Sequence, residues 1–484
     1  MKYHITGKSI ISVCLAITSL LSTSCSDFTE IDPKGKNLLS STSDLELLLN
    51  GNYSLETKTM QEISGDLIYA LDPLAVSLQP PVKTKFSIIV GWDEAGHRDK
   101  LPELTNSDSF YAGCYEYIGK IANPILSKID EADGNESDRL AIKAEALVIR
   151  AYFHYLAIQK FAPAYDMATA SSTIGLAYVK EDQDIKLPTI PISLDRFYDN
   201  IIADLDEAIN LNALPEKPLN QMRFSLVSAY AIKAHVLMAM QQSAKAAEYA
   251  QKAININGTV ANYNNMLVDT QNMLGGTYKS ILRPKLECPE DYFSDYHVAL
   301  METYPTWDTM EDGHAIRDYF STASKFMAGM FDASLMMLGV PGLTMSNDLT
   351  SSWPTISLSA PQMYLILAEN SINEGNFDKA MSYLDIIREG RISPSKYAPL
   401  EGTVSDKASA IEKLKTTARG EWIFSVWGFI NYKRWTRLED YKETITRNLC
   451  GIDMTLSPDS RLWVFPIPQN VINNNPNFKP YLND

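Results

Sequence analysis

The stretch KAHVLMAMQQSAKAAEYAQKAININGT, residues 233–259, places two alanine-bearing runs on either side of a polar Gln-Gln pair. Ala234 and Ala246 stand twelve positions apart with Leu237 between them, and Ala250 and Ala253 continue the second run at helical spacing. A second stretch, LAENSINEGNFDKAMSYLDIIREGR at 367–391, repeats the arrangement. There Ala368 and Ala380 are again twelve apart, Gly375 and Phe377 mark the turn, and Leu384 and Ile387 follow. Small side chains at those places let two antiparallel helices approach closely, while the larger ones fill the groove between them. One such pair is an ordinary helical hairpin; two with one spacing predict a repeated unit.

Both stretches resemble tetratricopeptide repeats. Two looser helical pairs lie on either side: DRLAIKAEALVIRAYFHYLAIQKFA with SLDRFYDNIIADLDEAINLN, and AIEKLKTTARGEWIFSVWGFINYKRW. The expected fold is therefore mainly α, with tetratricopeptide-like hairpins forming a scaffold and few short strands. From about Leu67 to Asn106, and again from about Thr259 to Trp353, Pro, Gly, Ser and Asn become frequent and helical periodicity fades. These read as long irregular loop excursions, and binding residues tend to sit on loops held by a rigid scaffold.

At the N-terminus, Lys2 and Lys8 flank an apolar run from Ile10 to Leu21 that is too short to span a bilayer comfortably. Ser22, Thr23 and Ser24 then precede Cys25. The pattern predicts a lipoprotein signal over residues 1–24, with Cys25 as the lipid-bearing residue and residues 25–484 as one domain. Leu21 stands four residues before the cysteine, and an ordinary secretory signal cut near Ser24, leaving Cys25 a free thiol, is the alternative. An acylated cysteine would hold the protein on a membrane at about 0.8 kcal/mol per buried methylene. The net charge of -16 argues against nucleic acid, whose phosphates demand basic patches. Beyond Cys14 and Cys25, Cys114, Cys288 and Cys450 are too scattered for a disulfide framework, though one pair stays open.

The C-terminal third carries the most specific pattern. RGEWIFSVWGFINYKRW supplies Arg419, Glu421, Trp422, Arg434 and Trp435, and FPIPQNVINNNPNF supplies Pro466, Ile467, Pro468, Asn475 and Pro476. In this order and spacing, and with the early KAEALVIRAYFHYLAIQKFA helix and Cys25, the chain resembles the SusD/RagB family of outer-membrane nutrient-binding lipoproteins. It departs from the family at Ser425, Val426, Trp427, Gly428, Asn431 and Tyr432, where ion pairs of the usual helix must be replaced, with aromatic packing one substitute. The Pro-Ile-Pro segment reads as structural, because proline fixes its own backbone angle and biases the preceding residue towards extended geometry.

The resemblance implies a lipid-anchored cell-surface protein of the outer membrane. Such a protein captures oligosaccharide and delivers it to a SusC-like TonB-dependent transporter, without catalysis or a cofactor. The alternative it allows is a peptide-binding, RagB-like protein or a structural partner of the transporter that uses the helical face. Sugar capture needs aromatic faces for the apolar sides of rings and polar side chains for hydroxyls. VGWDEAGHRDK offers Trp92, Asp93, His97 and Arg98, and DYFSDYHVALMETYPTWD offers Tyr292, Tyr296, Tyr304 and Trp307, with Trp353 a weaker third candidate. The same aromatics could equally plug loops onto the scaffold. A glycosidase would need two carboxylates about 5–10 Å apart, and Asp93 with Glu94 or Glu290 with Asp291 are adjacent acids of the commonly solvated kind. No His-Glu-x-x-His helix, GxSxG elbow or phosphate-binding glycine loop is present. A structural calcium held by loop carbonyls stays open.

Overall fold

Helix α1 (Glu136–Phe161) begins at Asn135, whose side chain accepts the Asp138 N–H at 2.8 Å, and every residue from Ala144 to Phe161 is buried. A helix enclosed on all sides has to pair its charges. Glu145 accepts from Arg223 Nε and Nη2, both at 2.7 Å; Arg150 donates to the two oxygens of Asp204 at 2.7 and 2.8 Å; Lys160 Nζ lies 2.8 Å from Asp108. The charges that interrupt the apolar pattern of this segment are thus the staples that tie α1 to its neighbours.

The computed structural model describes residues 39–64, 67–69, 82–184, 186–271, 277–284, 286–295, 303–305, 310–317, 353–449 and 452–484. The expected signal segment and Cys25 lie outside these residues. Among the described residues no helix is long and apolar enough to cross a membrane.

The other scaffold helices are α2 (Leu194–Asn210), α3 (Leu226–Ala239), α4 (Ser243–Ile256), α5 (Ala360–Asn373), α6 (Phe377–Glu389), α7 (Lys407–Trp422) and α8 (Trp427–Trp435). From α1 to α6 each packs on the next, and α7 rests against α5 and α6. The two hairpins read from the sequence are α3–α4 and α5–α6. Ala234, Ala246, Ala368 and Ala380 are fully buried at the helix contacts. The repeat extends to rings: Tyr230 meets Tyr249 at 6.0 Å, and at matching positions Tyr364 meets Tyr383 at 6.2 Å.

Both hairpins turn by the same hydrogen bonds. Gln242 N–H donates to Leu237 O and Gln241 N–H to Met238 O; Asn376 N–H donates to Ser371 O and Gly375 N–H to Ile372 O. This is a Schellman closure, which places one residue in the left-handed region. That residue is Gly375 at φ +74° in one hairpin and Gln241 at φ +62° in the other.

The first excursion is less irregular than its composition suggests. Its described residues hold three helices of six, six and four residues, Lys85–Val90, Glu94–Asp99 and Leu101–Leu104, each too short to display a period. Thr84 and Asp93 cap the first two. Among the described residues, strands are few and paired in twos, all antiparallel: β1 (Leu67–Tyr69) with β5 (Thr303–Pro305), β2 (Leu267–Gln271) with β3 (Thr277–Ile281), β4 (Asp291–Phe293) with β6 (Leu358–Ser359), and β7 (Ile445–Leu449) with β8 (Ile452–Leu456).

Two polar clusters fasten the second excursion to the scaffold. Arg391 is 1 % exposed and makes a fork to Glu421 at 2.7 and 2.9 Å, a further bond to Glu290 at 2.8 Å, and lies 3.7 Å from the centre of the Tyr263 ring. Asp295 accepts the Thr355 N–H and hydroxyl, both at 2.8 Å, and the Ile356 N–H at 3.0 Å. Asp295 thus ties together the two points of the chain on either side of residues 296–352.

The C-terminal pattern is likewise architectural. Arg434 forks onto Glu369 at 2.6 and 2.7 Å, and Trp435 Nε1 donates to the same carboxylate at 3.1 Å. At the divergent positions, buried Trp427 stacks on His235 at 3.9 Å and donates to Ser357 O at 2.7 Å, so aromatic packing does stand at this part of α8. Ile467 is fully buried between its two prolines, and its N–H reaches Pro480 O at 2.8 Å. Asn475 donates to Thr189 O at 2.9 Å. Cys114 and Cys288 are free and buried.

Candidate functional site

Residues 92–98 form the best-described part of the expected recognition surface, and they divide into two roles. Trp92 adopts φ +46° and its ring is 6 % exposed, with the Arg447 guanidinium 3.9 Å above one face. That face is occupied by protein, and a sugar would have to displace a guanidinium to stack there. Asp93 caps helix Glu94–Asp99 by accepting the Gly96 N–H at 3.0 Å, and pairs with Lys83 at 2.7 Å. Burial works to raise its carboxyl, but the bonds from Lys83 and Gly96 outweigh that and hold it below the ordinary carboxylate value. Neither residue is placed as a surface ligand contact; both build the turn.

His97 and Arg98, by contrast, line a cavity of about 180 Å³ together with Phe161, Val464, Tyr481 and Asp484. His97 is fully buried, and burial pushes its imidazole down to about 4, so the ring is neutral. The Tyr481 hydroxyl donates to His97 O at 2.6 Å, and its oxygen lies 3.2 Å from Nδ1. A hydroxyl has one proton, so Nδ1–H must donate to the phenol oxygen, which leaves Nε2 as an acceptor. Nε2 has no hydrogen-bond partner. Arg98 pairs with Asp484 and lies 5.6 Å from the Tyr481 ring centre. Tyr481 and Asp484 escaped sequence reasoning because nothing local links them to a histidine 384 positions away.

The second candidate group is only partly described. Tyr292 is fully buried in β4, and its hydroxyl donates to Asn257 O at 2.6 Å, which makes it part of the packing. Tyr296 and Trp307 lie outside the described residues, as does the side chain of Tyr304 in β5. Trp353 is 5 % exposed in a second apolar cluster, stacked on Phe424 at 4.5 Å and edge-on to Tyr263 at 5.7 Å.

The adjacent acids Glu290 and Asp291 are not solvated. Each is buried against an arginine, Glu290 with Arg391 and Asp291 with Arg283, where the two Asp291 oxygens each lie 2.6 Å from Nη2. Burial raises Asp291 to about 6 against the pull of Arg283, with Glu290 adding to the rise. Cys288, Glu290 and Asp291 bring their ligand atoms within 4.8 Å of one another. Both carboxylates are already held by guanidiniums, and burial pushes the Cys288 thiol up to about 12, so this donor set does not suit calcium, which takes oxygen ligands from free carboxylates and carbonyls.

Residues 57–238 match a SusD-like family model described as starch-binding and associating with the outer membrane. No curated protein matches the chain. Among solved structures, the chain is similar to a SusD superfamily protein from Bacteroides fragilis, at 16% identity and a TM-score of 0.62, covering 92% of this chain and 100% of that one. It is similar to a SusD-like carbohydrate binding protein from Bacteroides vulgatus, at 16% identity and a TM-score of 0.61, covering 91% and 97%. A SusD superfamily protein from Bacteroides thetaiotaomicron matches at 15% identity and a TM-score of 0.59, covering 91% and 99%. At such identities the structures speak for the fold, which is SusD-like, and residues 57–238 carry the match to the SusD-like family model.

Proposed function

We propose that this chain is a non-catalytic glycan-binding protein of the outer membrane. It is held at the cell surface by lipid on Cys25, and passes captured oligosaccharide to a SusC-like TonB-dependent transporter. The observation that carries the reading is the family match over residues 57–238, whose description names starch and the outer membrane. The likeness to a solved carbohydrate binding protein over 91% of the chain supports it. Capture without chemistry needs rings to stack on sugars and polar groups at the edge. Trp92, Tyr292 and Trp353 are committed to packing, so the stacking role falls to Tyr296, Tyr304 and Trp307, on the chain that leaves the scaffold at Asp295.

Calorimetric titration of the intact protein in detergent against starch-derived, other plant and host oligosaccharides, with peptides alongside, tests this. One glycan class should bind, and Trp307→Ala should weaken it tenfold or more. Binding of peptides alone, unchanged by Trp307→Ala, would move the ligand to the helical face and replace this reading with the peptide-binding one.

A further inference from the structure

We infer that the cavity lined by His97 and Arg98 receives an acidic substituent of the captured glycan, a carboxylate or a sulfate ester; this rests on the glycan-binding reading above. The argument starts from charge. The chain carries 59 acidic against 43 basic residues, yet Arg98, Arg437 and Arg461 all line this one cavity. Asp484 neutralises Arg98, and Lys479 holds the Asp484 main-chain oxygen. Arg437, two residues beyond α8, and Arg461, at the start of the short helix Arg461–Trp463, are exposed, and neither guanidinium has an ion pair or hydrogen bond among the described residues. Asp459 is the one further carboxylate at the lining. Two unpaired guanidiniums facing one acid leave an excess of positive charge in an otherwise acidic protein.

Guanidiniums suit carboxylates and sulfates because their planar fork offers two parallel N–H donors. His97, in the lining of the same cavity, adds a second polar group. His97 Nε2 is a buried acceptor without a donor among the described residues, which a hydroxyl entering the cavity would satisfy once the ring is uncovered. An acid flanked by several hydroxyls is what an acidic sugar presents, whereas a peptide offers at most a single hydroxyl where Ser or Thr adjoins the carboxylate. The volume, about 180 Å³, equals roughly six waters at ~30 Å³ each, enough for a charged substituent and part of a ring but not for a chain. Tyr481 supplies an aromatic surface next to it.

The test compares oligogalacturonate with its methyl ester, and a chondroitin sulfate oligosaccharide with its desulfated form, by calorimetry on the intact protein. Arg437→Gln/Arg461→Gln serves as the variant; neither side chain holds another residue, so the fold should be retained, which a thermal melt checks. At least one acidic form should bind tenfold or more tighter than its neutral counterpart, the preference should shrink in high salt, and the variant should lose it. Equal binding of acidic and neutral forms would overturn the inference while leaving glycan capture standing, as would a preference that survives in the variant. Binding of acidic peptides with no glycan bound at all would overturn both.

Discussion

Four buried histidines give this protein an acid sensitivity that can be worked out in advance. His154 donates from Nδ1 to Arg150 O at 2.9 Å and accepts the Val179 N–H on Nε2 at 3.0 Å, a pattern only the neutral ring can make. His235 is stacked on Trp427 and bonded to Gln362, and His314 accepts the Ile316 N–H at 3.3 Å. Burial lowers His154, His235 and His314 to about 3 and His97 to about 4. An unfolded histidine titrates near 6.5, so the stabilisation is complete above that pH and is lost as pH falls towards the folded values. At about pH 5 the unfolded chain gains roughly 2 kcal/mol per histidine, about 8 kcal/mol for the four. Asp291 acts the other way: its folded value of about 6 lies above the unfolded one, so it favours the folded state at low pH and offsets about 1 kcal/mol at pH 5. The net loss of about 6–7 kcal/mol is comparable to the whole stability of an ordinary domain. Urea unfolding followed by tryptophan fluorescence at about pH 7.5 and pH 5 measures it. His235→Gln, whatever it does to absolute stability, should shrink the difference between the two pH values by about 2 kcal/mol. A difference below about 2 kcal/mol for the native sequence would refute the neutral buried histidines.

Three further outcomes are expected. Gly375→Ala should lose about 1–2 kcal/mol through its positive φ alone, since no atom stands in the way, and Gln241→Gly at the equivalent turn should gain about 0.5–1 kcal/mol; paired thermal melts read both. Glu421→Gln should destabilise by about 3 kcal/mol because it leaves buried Arg391 half-neutralised, and an unchanged denaturation midpoint would count against that cluster as a structural staple. Trp92→Ala should lower stability by about 3–5 kcal/mol, as expected of a buried ring; a fully stable variant that loses only glycan binding would show that the ring works at the surface instead.

The scaffold was legible because its signals are local. The twelve-residue spacing of Ala234 to Ala246 and of Ala368 to Ala380 reports helix contact directly, and the turn chemistry at Gly375 lies between them. The fate of Trp92 was not legible, because the group covering it, Arg447, arrives from β7 near the other end of the chain. The same holds for the cavity: His97, Arg437, Arg461 and Tyr481 come from four separate segments, and Arg98 alone of its charged residues stands beside His97 in sequence. Likewise Glu290 and Asp291 look like a solvated acidic pair in sequence, and only the approach of Arg391 and Arg283 shows that they are buried.

The tie at Asp295 bears on where the chain can change in length. Three donors from Thr355 and Ile356 converge on one carboxylate there, while between these points Thr303–Pro305 pairs with β1 and His314, Ala315 and Ile316 are buried against the scaffold. Loop length is thermodynamically forgiving, each doubling adding only about 0.6 kcal/mol. Changes of length are therefore best placed after Arg317 and before Trp353, with Thr303–Pro305, residues 310–317, Asp295 and Thr355 kept. A chain with that stretch lengthened by a flexible insert should fold on the same frame with little loss of stability.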